Sequence, residues 1–246
     1  MFELPVLFLA ACMFLGAALY SIVGHAGASA YIALMALFGL APAVMRPTAL
    51  ALNILVAGFT SFRYVRAGLF RWRTVWPFSL GAIPFAVLGG AIQLPGAYYR
   101  PLVGVVLLAG GARLLWPTSL TANQEPRDPP IWTGVLCGVG IGFLAGLTGT
   151  GGGIFLSPLL LFLGWSATKT ASGVVALFIF GNSVAGLLGN VAIVKALPPD
   201  LPIYAVAVTL GAILGTTLGI RWSPPMILKA LGAVLIIAGV KLIGVY

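Results

Sequence analysis

Apolar stretches about 20 residues long, enough to cross a bilayer, recur along the whole of this chain, and two of them are interrupted by glycine. One interruption reads Thr148-Gly149-Thr150-Gly151-Gly152-Gly153, and the other, 125 positions earlier, reads Gly24-His25-Ala26-Gly27-Ala28. A break that unwinds a helix inside a membrane frees backbone groups that only protein, water or a solute can satisfy, so two matched breaks point to a solute site. Hydrophobic residues fill 61% of the 246 positions and charged ones only 7%, against roughly 25% charge in a soluble domain. The expectation is an all-α polytopic membrane protein, one transmembrane domain over residues 1–246.

The first segment reads as retained, because Met1–Ala11 has no Lys or Arg and carries Glu3, unlike a signal peptide. Cys12 and Cys137 are too few for a disulfide framework and lie in apolar sequence, where a thiol acts as a small hydrophobe. The net charge of +9 would suit nucleic acid, but the basic residues sit in short loops and at segment ends, as membrane topology requires. Nucleic acid is therefore set aside as a partner.

The landmarks recur in order. Cys12, Gly24 and Gly39 match Cys137, Gly149 and Gly164 at an offset of 125; Gly81-Ala82-Ile83 matches Gly211-Ala212-Ile213 at 130, and Gly104 with Arg113 matches Gly232 with Lys241 at 128. The chain reads as two homologous repeats, about 1–116 and 131–246, joined by a polar linker at 117–130. Each has a broken, re-entrant helix pair and three further transmembrane helices. The expected segments are 5–23, 30–45, 47–62, 74–94 and 99–116, then 131–148, 154–165, 170–193, 201–221 and 226–244.

Arg63, Arg66, Arg71 and Arg73 crowd one loop and place it in the cytoplasm, with the linker on the same side. Inverted repeats then put nine basic residues inside (63, 66, 71, 73, 113, 127, 169, 221, 229) and four outside (46, 100, 195, 241), where parallel repeats give eight against five. The inverted arrangement, with both termini outside, is the one expected.

All four acidic residues, Glu3, Glu125, Asp128 and Asp200, fall at the N-terminus or in loops. Intramembrane carboxylates carry protons and sodium, and catalytic metals need clustered ligands, so metal catalysis and carboxylate-based cation transport both lose support. An acid-free interior favours an anion. Unwound helix starts offer free N–H groups and the positive end of the helix dipole, to which Thr148 and Thr150 add hydroxyls. Close helix packing is the alternative use of such glycines. The second break lacks the Gly-Lys-Ser/Thr ending of a phosphate-binding P-loop, which removes nucleotide hydrolysis.

His25, the one histidine, aligns with Thr150 and could donate to an anion, carry a proton, or tie to a carbonyl. Ser29 is its natural neighbour. Asn53 and Asn182 occupy corresponding third segments, about a turn out of register, as pocket groups or interhelical glue. Thr48 and Ser172 open those segments and suit N-caps. Arg113 and Lys241 suit interfacial anchors, and the aromatics at 72, 76, 98, 99, 116, 165 and 222 an interfacial belt.

The run Gly142-Phe-Leu-Ala-Gly-Leu-Thr-Gly-Thr-Gly-Gly-Gly153, with Ser157-Pro158, Ala171-Ser-Gly-Val-Val-Ala176 and Asn182-Ser183, resembles the second-repeat signature of the TauE/SafE sulfite exporter family. Gly24-His-Ala-Gly27, Thr48-Ala-Leu-Ala-Leu-Asn53 and Tyr64-Val-Arg-Ala-Gly68 extend the resemblance to the first half, with departures at His25, Ala26 and Ala28. The resemblance implies a bacterial or archaeal inner-membrane transporter of sulfite, thiosulfate, a sulfonate or a related organic anion.

The combined expectation is alternating-access transport of a small anion at a site formed by Gly24, His25, Gly27, Ser29, Asn53, Thr148, Gly149, Thr150, Gly151, Gly152, Gly153 and Asn182. No catalytic residue, metal or cofactor is assigned. The partners are the substrate and the lipid bilayer, and a homo-oligomer is compatible with the sequence. The rivals are an anion channel, a thiol relay through Cys12 and Cys137, and an intramembrane enzyme, which lacks a nucleophile motif such as Gly-x-Ser-x-Gly.

Overall fold

The computed structural model describes residues 4–115, 126–189, 197–221 and 225–244. Glu3, most of the linker with Glu125, Lys195, Trp116 and Trp222 lie outside the described residues, as do the side chains of Arg113 and Lys229. The elements are α1 (Leu4–Ile22), α2 (Ala28–Leu37), α3 (Pro42–Arg66), α4 (Trp72–Ala91), α5 (Gly96–Leu115), α6 (Ile131–Thr148), α7 (Gly153–Phe162), α8 (Thr168–Leu188), α9 (Leu201–Arg221) and α10 (Pro225–Gly244). Six of these, α1, α3, α4, α6, α8 and α9, are long and apolar enough to cross a membrane. The helices that follow the breaks, α2 and α7, have 10 residues each. At 1.5 Å per residue they reach about 15 Å, half a hydrocarbon core.

Small residues decide which helices touch. Gly134, Gly138, Gly142 and Gly146 form one stripe on α6, and a Cβ on the last three would collide with the carbonyls of Phe78, Ala82 and Ala86 on α4. Gly211, Gly215 and Gly219 on α9 meet the carbonyls of Phe14, Ala18 and Ile22 on α1 in the same way. Each stripe brings two backbones to a separation that no larger side chain permits. Contacting residue numbers rise together in both pairs, so α4 runs parallel to α6 and α1 to α9. The course is opposed in two further pairs. Gly58 faces Phe180 and Gly186 faces Leu50 between α3 and α8, while Gly104 faces Gly239 and Gly110 faces Leu235 between α5 and α10.

Several expected boundaries move. The second and third segments divide at Phe38–Ala41, not at Arg46, because Gly39 (φ 78°) closes α2: its N–H reaches Ala36 O at 3.1 Å and that of Leu40 reaches Met35 O at 2.9 Å. This is a glycine-terminated helix end, with two of the orphan carbonyls satisfied. α3 then starts at Pro42 and runs straight through Pro47. A proline so near the start removes a single early helical bond. Thr48 and Ser172 are therefore not N-caps. The caps are Ala41 and Ala167, and the Ser172 hydroxyl donates back to Thr168 O at 3.2 Å within α8. Trp72 and Tyr98 lie exposed at helix starts, as an interfacial belt requires, whereas Tyr99 and Trp165 are buried. Lys241 donates to Leu37 O at 2.9 Å and so caps α2.

Candidate functional site

The two breaks meet at Asn53, halfway along the 25-residue α3. Its Oδ1 accepts from the N–H of Ala28, the first residue of α2, at 3.0 Å, and its Nδ2 donates to Ser183 Oγ of α8 at 3.2 Å. A Cβ on Gly151 would lie 2.5 Å from that same Nδ2 and 3.1 Å from Ser183 Oγ. The second break thus passes beside one polar group after another: Gly149 beside Arg46, Gly151 beside Asn53 and Ser183, and Gly153, whose carbonyl lies 3.1 Å from His25 Nε2. Seven residues, Thr148 to Ile154, are all buried.

Backbone geometry gives that segment its chemistry. Gly149, Gly151 and Gly152 hold φ of 84°, 74° and 82°, a left-handed conformation that other L-residues rarely adopt. Gly149 ends α6 by donating to Ala145 O at 2.8 Å. The next five N–H groups, of Thr150, Gly151, Gly152, Gly153 and Ile154, have no acceptor among the described residues. Consecutive N–H groups in such a turn, at the start of a helix, make a concavity of positive potential. A buried donor left unpaired costs about 1–3 kcal/mol, so these N–H groups call for an acceptor, which a bound solute can supply.

Asn182 borders the same segment. On its face of α8, Phe178 one turn before touches the Gly152 position and Gly186 one turn after touches Gly146. The amide is 1% exposed, and neither its nitrogen nor its oxygen has a partner. The threonine hydroxyls are spent locally instead: Thr148 donates to Leu144 O at 2.7 Å and lies 3.0 Å from Thr150 Oγ1.

The first break also holds N–H groups without an acceptor among the described residues, those of Ala26, Gly27, Ser29 and Ala30, but its side chains are arranged differently. Gly24 (φ 76°) ends α1, with its N–H on Ser21 O at 3.2 Å and that of His25 on Tyr20 O at 2.9 Å. A Cβ on Gly24 would collide with the backbone of Ser172. Gly27 (φ 101°) caps α2, and Ser29 Oγ sits 2.7 Å from Tyr20 OH. His25 is half-buried, with Nδ1 3.1 Å from Val23 O and Nε2 3.1 Å from Gly153 O. A neutral imidazole has one N–H and can serve one of those carbonyls, while an imidazolium serves both. The side chain ties one break to the other.

Arg46 is the group that the sequence misplaced. Expected at the outer surface, it is 5% exposed, with Nη1 on Ile92 O at 2.7 Å and Nη2 on Gly89 O at 3.0 Å. Its signal was its distance of seven residues from Gly39, which closes α2 and puts Arg46 in the second turn of α3. Two apolar grooves lie away from the breaks, one of about 360 Å³ between α3 and α8 lined by Ser61, Phe62 and Phe180, the other of about 680 Å³ between α1 and α9. The break itself is closed in this conformation.

Residues 9–242 match the family described as Sulfite exporter TauE/SafE. A probable membrane transporter protein, y4hK of Sinorhizobium fredii, is 37% identical over 239 residues, covering 96% of this chain and 97% of that protein. The probable membrane transporter protein MJ0441 of Methanocaldococcus jannaschii is 24% identical over 135 residues, 52% of this chain and 50% of its own. No solved structure matches the chain at a significant level. With nearly its whole length matched and six helices able to span a bilayer, the chain is a multi-pass membrane transporter that belongs to the TauE/SafE sulfite exporter family.

Proposed function

We propose that this transporter carries a small anion, of the class of sulfite, thiosulfate or a sulfonate, across a bacterial or archaeal inner membrane, and that the anion rests on the second break. The observation that carries the reading is the run of five buried, acceptor-free N–H groups from Thr150 to Ile154, with the unpaired amide of Asn182 alongside. Dipoles of this kind hold an anion without a charged side chain and without the desolvation cost of burying one. Nothing in the arrangement supplies a nucleophile and its base, so the site binds and releases its solute unchanged.

The closed break belongs to an occluded step of alternating access. The opposed course of α3 and α8, and of α5 and α10, supports inverted repeats, and the meeting of the breaks halfway along α3 supports a site near the midplane, about 18 Å from either end of that helix. Rocking of one repeat against the other then opens the site to each side in turn.

Uptake of sulfite, thiosulfate and methanesulfonate into proteoliposomes tests the reading, with wild type compared to Gly151→Ala. The added methyl must adopt the left-handed conformation and press on Asn53 Nδ2. Saturable anion flux in wild type, lost by about a hundredfold in folded Gly151→Ala protein, is expected where site geometry sets the rate. Equal flux in the two proteins would mean that the glycine only lets helices pack.

A further inference from the structure

Arg46 carries a full positive charge in the protein interior, and the salt bridges of the described residues join Asp128 to Arg71 and Arg73, leaving Arg46 without a carboxylate. Three of its five N–H groups go to main-chain oxygens: Nη1 donates to Ile92 O, and Nη2 donates to Gly89 O and Gly90 O. Those carbonyls end α4, where a cation also meets the negative pole of the helix dipole. Capping therefore accounts for the two terminal nitrogens. It does not account for Nε, which is buried with no partner, nor for the second hydrogen of Nη1.

The stem of Arg46 adjoins the second break, and the unpaired Nε lies a short way further along the same side chain. A Cβ on Gly149 would lie 3.0 Å from Arg46 Cγ, and buried Tyr99 holds the preceding carbonyl, that of Thr148, at 2.9 Å. Across the same break stands Asn182, one helical turn from Gly186, whose carbonyl a Cβ on Gly90 would strike. Arg46 and Asn182 thus flank the break that holds the five amides, each with an unpaired buried donor. A lysine could cap α4 as a point charge; only a guanidinium both caps the helix and keeps a directed N–H for something else.

We infer that Arg46 is a second anion-binding group on the transport path, giving its Nε–H and remaining Nη1–H to a doubly charged oxyanion as that anion reaches or leaves the Thr150–Ile154 amides. The inference rests on the anion reading of the second break. It adds a preference: a directed guanidinium N–H interacts with a dianion about twice as strongly as with a monoanion, so loss of that donor costs the dianion more.

The test measures KM for thiosulfate, a dianion, and for methanesulfonate, a monoanion, in proteoliposomes of wild type and Arg46→Lys. The variant keeps a charge on the α4 carbonyls, so its unfolding temperature should stay close to wild type. Its KM for thiosulfate should rise about tenfold or more, as one charge-assisted hydrogen bond is lost, and that for methanesulfonate by less than about threefold. Unchanged KM for both anions, or an equal rise in both, would make Arg46 a helix cap alone and leave the amide site standing. Wild-type transport of methanesulfonate in preference to thiosulfate would also overturn the inference, and absence of any anion flux in wild type would remove the amide site and the inference together. Should Arg46→Lys fail to fold, arginine-labelled wild type gives the answer: the Nε–H resonance of Arg46 should shift saturably on titration with thiosulfate, and a resonance that stays in place contradicts the proposal.

Discussion

The two breaks share a backbone and differ in what surrounds it. Gly24 and Gly149 take φ of 76° and 84°, and Gly27 and Gly152 take 101° and 82°, at the same spacing in each half. Around the first break, side chains complete the structure: Asn53 caps α2, Tyr20 meets Ser29, and His25 straps Val23 to Gly153. N–H groups without an acceptor among the described residues occur at both breaks, those of Ala26, Gly27, Ser29 and Ala30 at the first and of Thr150 to Ile154 at the second; what sets the second apart is that both ends of the Asn182 amide and Arg46 Nε are unpaired as well. On the reading proposed here, the first break serves as an anchor and the second as the seat. A duplicated element can keep its backbone in both copies while the side chains around it diverge.

That contrast can be broken most sharply at Gly24. A methyl there must enter the left-handed region and displace the Ser172 backbone, so Gly24→Ala should cost several kcal/mol, about the size of a severe steric substitution. Loss of folded, monodisperse protein on size-exclusion chromatography is the expected readout. Normal yield and melting would show that the anchor is not needed.

Asn182→Leu separates the two roles next. Replacing an unsatisfied buried amide by an apolar group of similar size should leave stability unchanged or raise it by about 1 kcal/mol. Transport affinity should nevertheless fall by about tenfold, the worth of one hydrogen bond to a charged ligand. A melting temperature that falls while KM holds would reverse the assignment and make Asn182 structural. The smallest effect belongs to Ser29→Ala, which deletes one neutral hydrogen bond at the anchor and should cost about 1 kcal/mol in thermal unfolding with KM intact. A KM that rises with the Ser29 change would bring the first break into the seat.

Much of this was legible in the order of residues. Glycines at equal spacing inside apolar sequence announce unwound helix, and the spacing of 125 residues fixed which break answers which. Gly39 and Gly164 also recur at that offset, but a lone glycine does not by itself mark a helix end, so the sequence puts the start of α3 five residues late and Arg46 at the surface. A basic residue before a proline resembles a loop on composition alone; only the third dimension, where the carbonyl end of α4 meets the second turn of α3, makes it buried. The threonines misled for a related reason. Thr148 and Thr150 are hydroxyl donors in sequence, but a helix end offers its own free carbonyl, and Thr148 turns back to Leu144 O. The difference between Asn53 and Asn182 could not be read at all, since each is an amide in an apolar span and pairing is a property of neighbours from the other half.

An anion seated on the main chain of the second break must protect the amides there from exchange. Hydrogen–deuterium exchange of the transporter, with and without saturating sulfite or thiosulfate, measures that protection directly. Exchange across residues 148–155 should slow on addition of anion as the free amides gain an acceptor, with residues 22–30 unaffected. Unaltered exchange at 148–155, or equal slowing at both breaks, would contradict the account.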